Sequence, residues 1–336
     1  MGAAKLPGEF ELIERYFAPL AAGMPGALGL GDDAALIGPK PGTELVATTD
    51  AVIAGVHFLP DDPPDQIARK MLRVNISDLA AMGAAPIGYL MTCAFPESVD
   101  EPWLASFCAG LAADQAEFGI GLLGGDTTGT PGPLALSLTA LGEVPTGKAL
   151  RRNAAKADDL VFVSGTLGDG ALGLKRLRGL LDWLSAEQGA FLIDRYRLPR
   201  PRLTLGMALV ETGLTKAAID VSDGLVADLG HIGEQSRLGA EVEIAKLPLS
   251  PAARAALARD PAFLADIVAG GDDYELLFTA PAANAPAIAA LGQRLALPIA
   301  AIGRMVAAGG TKGGAVRLID QAGREVPLAR RGWQHF

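Results

Sequence analysis

Hydrophobic positions in the first 144 residues follow two periods, one typical of helices and one typical of strands. Apolar side chains three or four positions apart predict helices over residues 9–20, 64–82 and 101–118. Short apolar runs bounded by turn residues predict strands at residues 34–37, 44–49, 86–95, 120–124 and 134–144. This order of elements indicates a mixed sheet covered on one face by helices.

The apolar pattern breaks over residues 145–156, where Pro, Gly, Arg and Lys replace it. We place a domain boundary there, between an N-terminal domain of residues 1–148 and a C-terminal domain of residues 149–336. The second domain is predicted to have strands at 160–164, 217–221, 240–245, 274–279 and 299–302, then a C-terminal hairpin. Its predicted helices cover 171–184, 186–196, 203–212, 224–236, a region ending at 268, and 285–295. The predicted class is α/β, with mixed sheets in both domains.

Composition and charge restrict the function. Half of the 336 residues are hydrophobic and the mean hydropathy is +0.29, which excludes a largely disordered chain. A formal net charge of −9 and the lack of a dense basic run argue against nucleic acid as a partner. Acidic residues interrupt the N-terminal segment and every long apolar stretch, so we expect neither a secretion signal nor a membrane span. The chain is expected to be soluble and cytoplasmic.

Acidic residues gather where predicted strands and helices end, next to Gly, Ser or Thr. They are Asp32, Asp33, Asp50, Asp78, Asp126, Asp220, Asp223, Asp272 and Asp273. Any one of them could be a helix cap or a turn former, roles in which Asp is common. As a set they indicate a site, because loops at strand ends carry ligand-binding residues and most of these aspartates have no Lys or Arg nearby.

Several carboxylates can share one pocket only if cations lie among them. Two carboxylates about 4 Å apart repel by about 4 kcal/mol at an effective dielectric constant of 20. Carboxylate, hydroxyl and carbonyl oxygens suit Mg²⁺ better than zinc, and protein-bound Mg²⁺ commonly bridges substrate phosphates. The pattern therefore predicts an enzyme that handles phosphate groups with Mg²⁺.

Two glycine-rich segments suggest rival sites. Residues 168–173 match GxGxxG after a predicted strand, but the second strand with a terminal acid that a dinucleotide-binding fold needs is missing, because a helix is predicted there. We interpret the match as a tight strand-to-helix turn. Residues 309–314 are interpreted as a flexible hairpin, and no GxxxxGK[ST] motif occurs.

Six segments together resemble the thiamine-monophosphate kinases, a branch of the aminoimidazole ribonucleotide synthetase superfamily. They are GLGDDAAL (29–36), TTDAVIAGVHF (48–58), VNISDLAAMGA (74–84), LLGGDTT (122–128), AIDVSDGLVADLGHI (218–232) and GGDDYELLF (270–278). The resemblance implies that ATP and thiamine monophosphate give ADP and thiamine diphosphate. It also implies a two-domain architecture and a homodimer in which the N-terminal sheets pair.

The resemblance assigns a role to each matching position. It implies Mg²⁺ ligands at Asp33, Thr48, Thr49, Asp50, Asp78, Asp126, Asp220 and Asp223. It implies ATP contacts at Phe118, Gly125, Asp126, Arg152 and Ser222, and thiamine monophosphate contacts at His57, Asp272 and Trp333. Asp272 stands where the family usually has Glu, and Phe118 where it often has Tyr, which removes a hydroxyl.

Direct in-line transfer follows as a hypothesis, because the substrate phosphate is itself a nucleophile and needs no strong general base. A route through a phosphorylated His57 or aspartate is the competing mechanism. Two other functions stay open: another phosphoryl-transfer enzyme of the superfamily, and a non-catalytic nucleotide-binding maturation protein.

Overall fold

The computed structural model describes residues 6–308, 313–328 and 330–333, which form two compact units. The first unit comprises Met1–Leu79 and Ala84–Gly147, and the second comprises Ala80–Gly83 and Lys148–Phe336. Among the described helices, none has both the length and the apolar character that a membrane crossing requires. The predicted mixed sheets are present in both units.

Within the described residues, the first unit combines four helices and four strands. The helices are α1 (Glu9–Leu12), α2 (Ala18–Ala21), α3 (Pro64–Met82) and α4 (Glu101–Phe118), and a π-helical turn, Ile13–Phe17, joins α1 to α2. The strands are β1 (Thr43–Ile53), β2 (Ala85–Phe95), β3 (Leu122–Gly129) and β4 (Ala135–Pro145). Helix α4 shows why its bounds follow from sequence: the Asp100 side chain accepts the Trp103 N–H at its start, and Gly119 ends it in a left-handed conformation.

The sheet of the first unit has the strand order β1–β4–β2–β3, in which only β2 and β3 are parallel. Successive side chains of β4 project to opposite faces of the sheet. Leu136, Leu138 and Ala140 are buried, and their side of the sheet is called the core face. Ser137 and Thr139 are only half-buried, and their side is called the open face.

Helices α3 and α4 match their predicted bounds, but one predicted strand of this half is wrong and two others have different ends. Residues 34–37 form no strand; Leu36 is 70% exposed and its N–H donates to the Gly26 carbonyl instead of to a sheet neighbour. The strand predicted at 44–49 is present as β1 but runs on to Ile53, and the strand predicted at 120–124 is present as β3 but begins at Leu122 and ends at Gly129. Asp50 and Asp126 therefore lie inside strands, because the ladders with β4 and β2 continue past them and override local propensity.

The second unit has seven helices and seven strands within the described residues. The helices are α5 (Asp169–Leu177), α6 (Ala186–Arg197), α7 (Leu203–Thr212), α8 (Leu225–Ser236), α9 (Pro251–Arg259), α10 (Phe263–Ala269) and α11 (Ala285–Arg294). The strands are β5 (Leu160–Ser164), β6 (Ala217–Asp220), β7 (Leu238–Glu243), β8 (Leu276–Ala280), β9 (Ile299–Ala307), β10 (Val316–Ile319) and β11 (Glu325–Val326).

The sheet of the second unit is buried on both faces. Its order is β11–β10–β7–β9–β5–β8–β6, with β10 and β7 parallel and the other pairs antiparallel. Along central β5, Val161 and Val163 pack in one hydrophobic cluster and Phe162 packs in another. Such two-sided burial explains why the central strands read as continuous apolar runs.

Three predictions for this half need correction. The helix predicted over 171–184 ends at Leu177, and Gly179 follows with φ 76°, a conformation that stops a helix. The strand predicted from residue 274 begins at Leu276 because Tyr274 has a φ of 50°. The predicted C-terminal hairpin is confirmed as β10–β11. The hairpin interpreted at residues 309–314 is wrong, because the flanking strands β9 and β10 each pair with β7 and not with each other. Residues 309–312 themselves lie outside the described residues.

Candidate active site

Two carboxylates and a hydroxyl group gather on the core face of the first unit. Residues opposite each other in an antiparallel ladder project to the same face. Thr48 lies opposite Ala140 and Asp50 opposite Leu138, so both project from edge strand β1 to the core face. The Thr48 hydroxyl donates to Oδ2 of Asp78 on α3 at 2.5 Å. Strand β1 and helix α3 thus supply hard oxygen ligands side by side.

His57 lies in the turn that follows β1. Its Nδ1 accepts the Ile53 N–H at 3.1 Å, which leaves the proton of the neutral ring on Nε2. The ring therefore has a fixed orientation, with a hydrogen-bond donor at its outer nitrogen.

A second group of predicted site residues lines a cavity of about 580 Å³ in the same unit. Asp33, Gly125 and Asp126 all contribute to its wall. Asp126 lies opposite Thr92 in the parallel ladder, and Thr92 lies opposite Ser137, so Asp126 projects to the open face. The lining combines acidic and hydroxyl oxygens with apolar side chains, a composition that suits an anionic ligand bound with cations.

The sheet order separates Asp50 from Asp126 within one chain. Asp50 lies opposite Leu138, Leu138 opposite Met91, and Met91 opposite Gly125, the neighbour of Asp126. Three strand spacings of about 4.8 Å place the two edges about 14 Å apart. Two ligands of a single Mg²⁺ lie within about 4 Å of each other, since each Mg–O distance is about 2.1 Å. Backbone register thus keeps these carboxylates from sharing one ion in a single copy.

Among the side chains that the structure describes, no three His, Cys, Asp or Glu residues form a group that could hold a metal ion.

In the second unit, two loops and the C-terminal segment converge. The Asp272 N–H donates to the Ser222 carbonyl at 2.9 Å, and the Tyr274 N–H donates to the Val221 carbonyl at 2.8 Å. The Trp333 N–H donates to the Asp223 carbonyl at 3.0 Å. The predicted residues of this half that lie in one place are therefore Asp220, Ser222, Asp223, Asp272 and Trp333.

Asp228 on α8 supports this group and was missed from sequence. Its Oδ2 accepts the N–H groups of Asp223 and Gly224, each at 3.1 Å. Burial raises the pKa of Asp228 well above its ordinary value, and the nearby charges of Asp220 and Asp223 raise it further. An acid in the first turn of a helix was the available signal, because its carboxylate can accept N–H groups at the helix start.

Asp273, counted from sequence among the acids that indicate a site, instead lies at the GxGxxG turn. Its Oδ2 accepts the Gly168 N–H at 2.7 Å and its Oδ1 accepts the Gly170 N–H at 3.1 Å. Burial raises the pKa of Asp273 well above the ordinary range, and the charge of Asp169 acts in the same direction. The turn that resembles a dinucleotide motif therefore binds a carboxylate of its own chain.

Two ATP-contact predictions fall on separate units. Phe118, at the end of α4, has the guanidinium of buried Arg73 over its ring at 5.3 Å. Arg73 is held by buried Asp114 at 2.7 Å. Arg152 lies in a short 3₁₀ turn of the second unit with an exposed side chain, and its carbonyl accepts the Ser236 hydroxyl at 2.8 Å.

Comparison with known proteins gives consistent results along the chain. The family models of the AIR synthase related protein N-terminal and C-terminal domains match residues 31–144 and 156–315. A thiamine-monophosphate kinase of Caulobacter vibrioides is 43% identical over 99% of this chain and 92% of its own length.

Two solved structures are similar over nearly the whole chain. The thiamine-monophosphate kinase from Stenotrophomonas maltophilia K279a is 42% identical with a TM-score of 0.82, covering 93% of this chain and 96% of its own. AaThiL complexed with AMPPCP and TMP is 29% identical with a TM-score of 0.74, covering 98% of this chain and 97% of its own.

Asp169 provides a test of the electrostatics in the second unit. It is fully buried, and burial raises its pKa, although hydrogen bonds from Ser250 and Thr166 oppose the shift. An acid whose pKa is raised by folding adds stability below its unfolded pKa, about 4, and loses it as pH rises through the folded pKa.

We therefore expect Asp169→Asn to gain melting temperature relative to the wild type as pH increases from 4 to 7. Thermal unfolding of both proteins across this range, without added Mg²⁺, measures the difference. A melting-temperature difference that stays constant with pH would show that the folded-state pKa of Asp169 is not raised.

Proposed function

The chain belongs to the thiamine-monophosphate kinases, a family of AIR synthase related proteins, and on this basis we propose that it transfers the γ-phosphoryl group of ATP to thiamine monophosphate. The products are ADP and thiamine diphosphate. The observation that carries the proposal is the similarity to enzymes of this name along nearly the full length of the chain. The complex of a relative with AMPPCP, an ATP analogue, and TMP agrees with both proposed substrates.

The side chains proposed to bind thiamine monophosphate suit a cation. Trp333 is 51% exposed, and its backbone is tied to Asp223. An exposed aromatic face attracts the positively charged thiazolium ring by about 0.5–2 kcal/mol. Asp272, whose N–H donates to the carbonyl of Ser222, is proposed to add a carboxylate, and His57 is proposed to contact the same substrate.

The residues proposed to hold Mg²⁺ fit that ion by their chemistry. Every side-chain donor among them is a carboxylate or hydroxyl oxygen, and the Thr48–Asp78 hydrogen bond already aligns two of them. The proposed ligands are Asp33, Thr48, Thr49, Asp50, Asp78, Asp126, Asp220 and Asp223. When bound, Mg²⁺ ions supply the positive charge that offsets the repulsion between the two phosphate groups.

Residues proposed to contact ATP combine aromatic, backbone, carboxylate, cationic and hydroxyl groups. They are Phe118, Gly125, Asp126, Arg152 and Ser222. Gly125 has a φ of 159°, and a Cβ atom built there would lie 1.8 Å from the Met91 carbonyl oxygen, so no side chain can cover the backbone at this point. The close approach of β2 requires glycine here, and the Gly125 backbone lines the cavity in which ATP is proposed to bind.

A homodimer explains the open face of the first unit. Leu45 and Leu90 project from this face and are 49% and 38% exposed, and most of the positions between them carry small or hydroxyl side chains. A two-fold axis parallel to the strands would set β1 of one copy against β3 of the other. We propose that the partner's Asp126 thereby meets Thr49, which shares the open face, and that Asp50, on the other face of the same edge strand, reaches the site around the β1 edge. Each site would then draw ligands from both copies.

A cytoplasmic location agrees with this function. Cys93 and Cys108 are free, buried thiols, as expected for a reducing compartment, and ATP is abundant there.

Release of ADP tests the proposed reaction. We expect ADP release that depends on thiamine monophosphate and on Mg²⁺, measured by a coupled assay. Unphosphorylated thiamine is the matched control, because it has the same cationic ring but lacks the accepting phosphate. ADP release that thiamine monophosphate leaves unchanged would contradict the proposal and favour a maturation protein or another reaction of the superfamily.

Stereochemistry tests the direct route. The phosphate of thiamine monophosphate attacks the γ-phosphorus while the bond to the ADP leaving group breaks, which inverts the configuration at phosphorus. We expect inversion with ATP that is chiral at the γ-phosphate. Retention would indicate two successive displacements through a phosphorylated residue.

Mixed dimers test the sharing of ligands between copies. Asp50→Asn and Asp126→Asn homodimers should each lose activity at least about a hundredfold, because charge stabilisation at the transferred phosphate is removed. In the heterodimer of the two variants, one site carries both substitutions and the other carries neither. We expect the purified heterodimer, isolated with two different tags, to show about half of wild-type activity. An inactive heterodimer would place both carboxylates of a site in one copy.

A further inference from the structure

Residues 272–275, called the substrate segment because they include Asp272, are held in an unusual backbone conformation. Asp272 and Tyr274 both have positive φ angles, 73° and 50°, although neither is glycine. Residues other than glycine rarely adopt positive φ angles, so the surrounding structure must hold the segment in place. Between these two residues lies Asp273, which is almost fully buried.

Asp273 fixes the middle of the segment. Its two carboxylate oxygens accept the N–H groups of Gly168 and Gly170 at 2.7 and 3.1 Å. These N–H groups belong to the turn at the start of α5, which β5 and the core of the second unit keep in place. One side chain thus ties the substrate segment to a rigid part of the fold at two points.

Glu275 fixes the end of the segment. It is fully buried and accepts hydrogen bonds from Arg195 at 2.8 Å, from Arg202 at 2.6 Å and from the Ser164 hydroxyl at 2.6 Å. Two arginines around one carboxylate leave it little freedom to move.

Close contacts complete the constraint on Asp272. A Cβ atom at Gly170 would lie 2.3 Å from the Asp272 carbonyl oxygen, and a Cβ atom at Gly271 would lie 2.3 Å from the Ser222 carbonyl oxygen. The turn at the start of α5 and the loop between β6 and α8 therefore both lie in close contact with the backbone at residues 271–272.

We propose that Asp273 is a positioning residue for thiamine monophosphate: by binding the amides of Gly168 and Gly170 it holds Asp272 where the substrate is recognised. This rests on the proposed function. The substrate meets Asp272 and Trp333, whereas Asp273 is buried and acts only through the backbone of its neighbour. Loss of its two hydrogen bonds frees the segment to relax out of the positive φ region and moves Asp272 away from its place.

Steady-state kinetics of Asp273→Asn tests this role. The amide keeps the size of the side chain but has only one oxygen, so at least one backbone N–H loses its acceptor. We expect the KM for thiamine monophosphate to rise roughly tenfold while the KM for ATP changes less than about twofold. A residue that only stabilises the fold would lower the melting temperature and leave both KM values unchanged.

Asp169→Asn is the matched control. Asp169 is also a fully buried carboxylate at the start of α5, but it accepts hydrogen bonds from the hydroxyls of Thr166 and Ser250, which lie outside the substrate segment. We expect its KM for thiamine monophosphate to stay within about twofold of the wild type. An equal rise of KM in both variants would overturn the proposal.

Gly170→Ala tests the same geometry if Asp273→Asn does not fold. The added methyl group pushes directly on Asp272, and alanine is otherwise favourable in a helix. We expect the same selective rise in the KM for thiamine monophosphate, and an unchanged KM would overturn the proposal. Failure of the proposed function is distinguishable, because the wild-type protein itself would then show no ADP release that depends on thiamine monophosphate.

Discussion

A carboxylate withdrawn from water must receive hydrogen-bond donors or positive charge, and the arrangement of the second unit depends on how each acid meets this requirement. Asp228 and Asp273 receive backbone N–H groups. Glu275 receives two arginines. In each case the bound acid connects a loop to the start of a helix or the end of a strand. The groups that compensate the charge of the carboxylate therefore also determine the conformation of the loop.

The first unit meets the same requirement with ion pairs. Arg69 and buried Arg73, both on α3, hold the carboxylate of Asp114 on α4, which is fully buried. The charge of this buried acid is compensated by arginines, and the contact also joins the two helices.

Sequence predicted those parts of the molecule whose signals are local. Helices α3 and α4 were placed correctly because Pro64 and Gly83, and then Asp100 and Gly119, mark their ends. The family resemblance identified the reaction because its six segments carry the acids and glycines of the site.

Contacts between residues that are far apart in the chain could not be predicted from the sequence. Asp50 and Asp126 were placed at strand ends, since the length of a strand depends on its partner and not on its own residues. Asp273 binds amides 105 and 103 positions away, and no periodicity or motif reports such a contact. The opposite edges of β1 and β3 became visible only with the strand order.

The GxGxxG turn has a consequence for nucleotide recognition in this unit. Asp273 acts there as an internal substitute for a phosphate group, linked covalently to the protein and therefore always present at high effective concentration. A dinucleotide would have to displace the Asp273 carboxylate before it could bind the N–H groups of Gly168 and Gly170. The glycine pattern therefore has a structural role, because its N–H groups bind Asp273. A motif search that interprets the pattern as a cofactor-binding sequence would assign the wrong ligand.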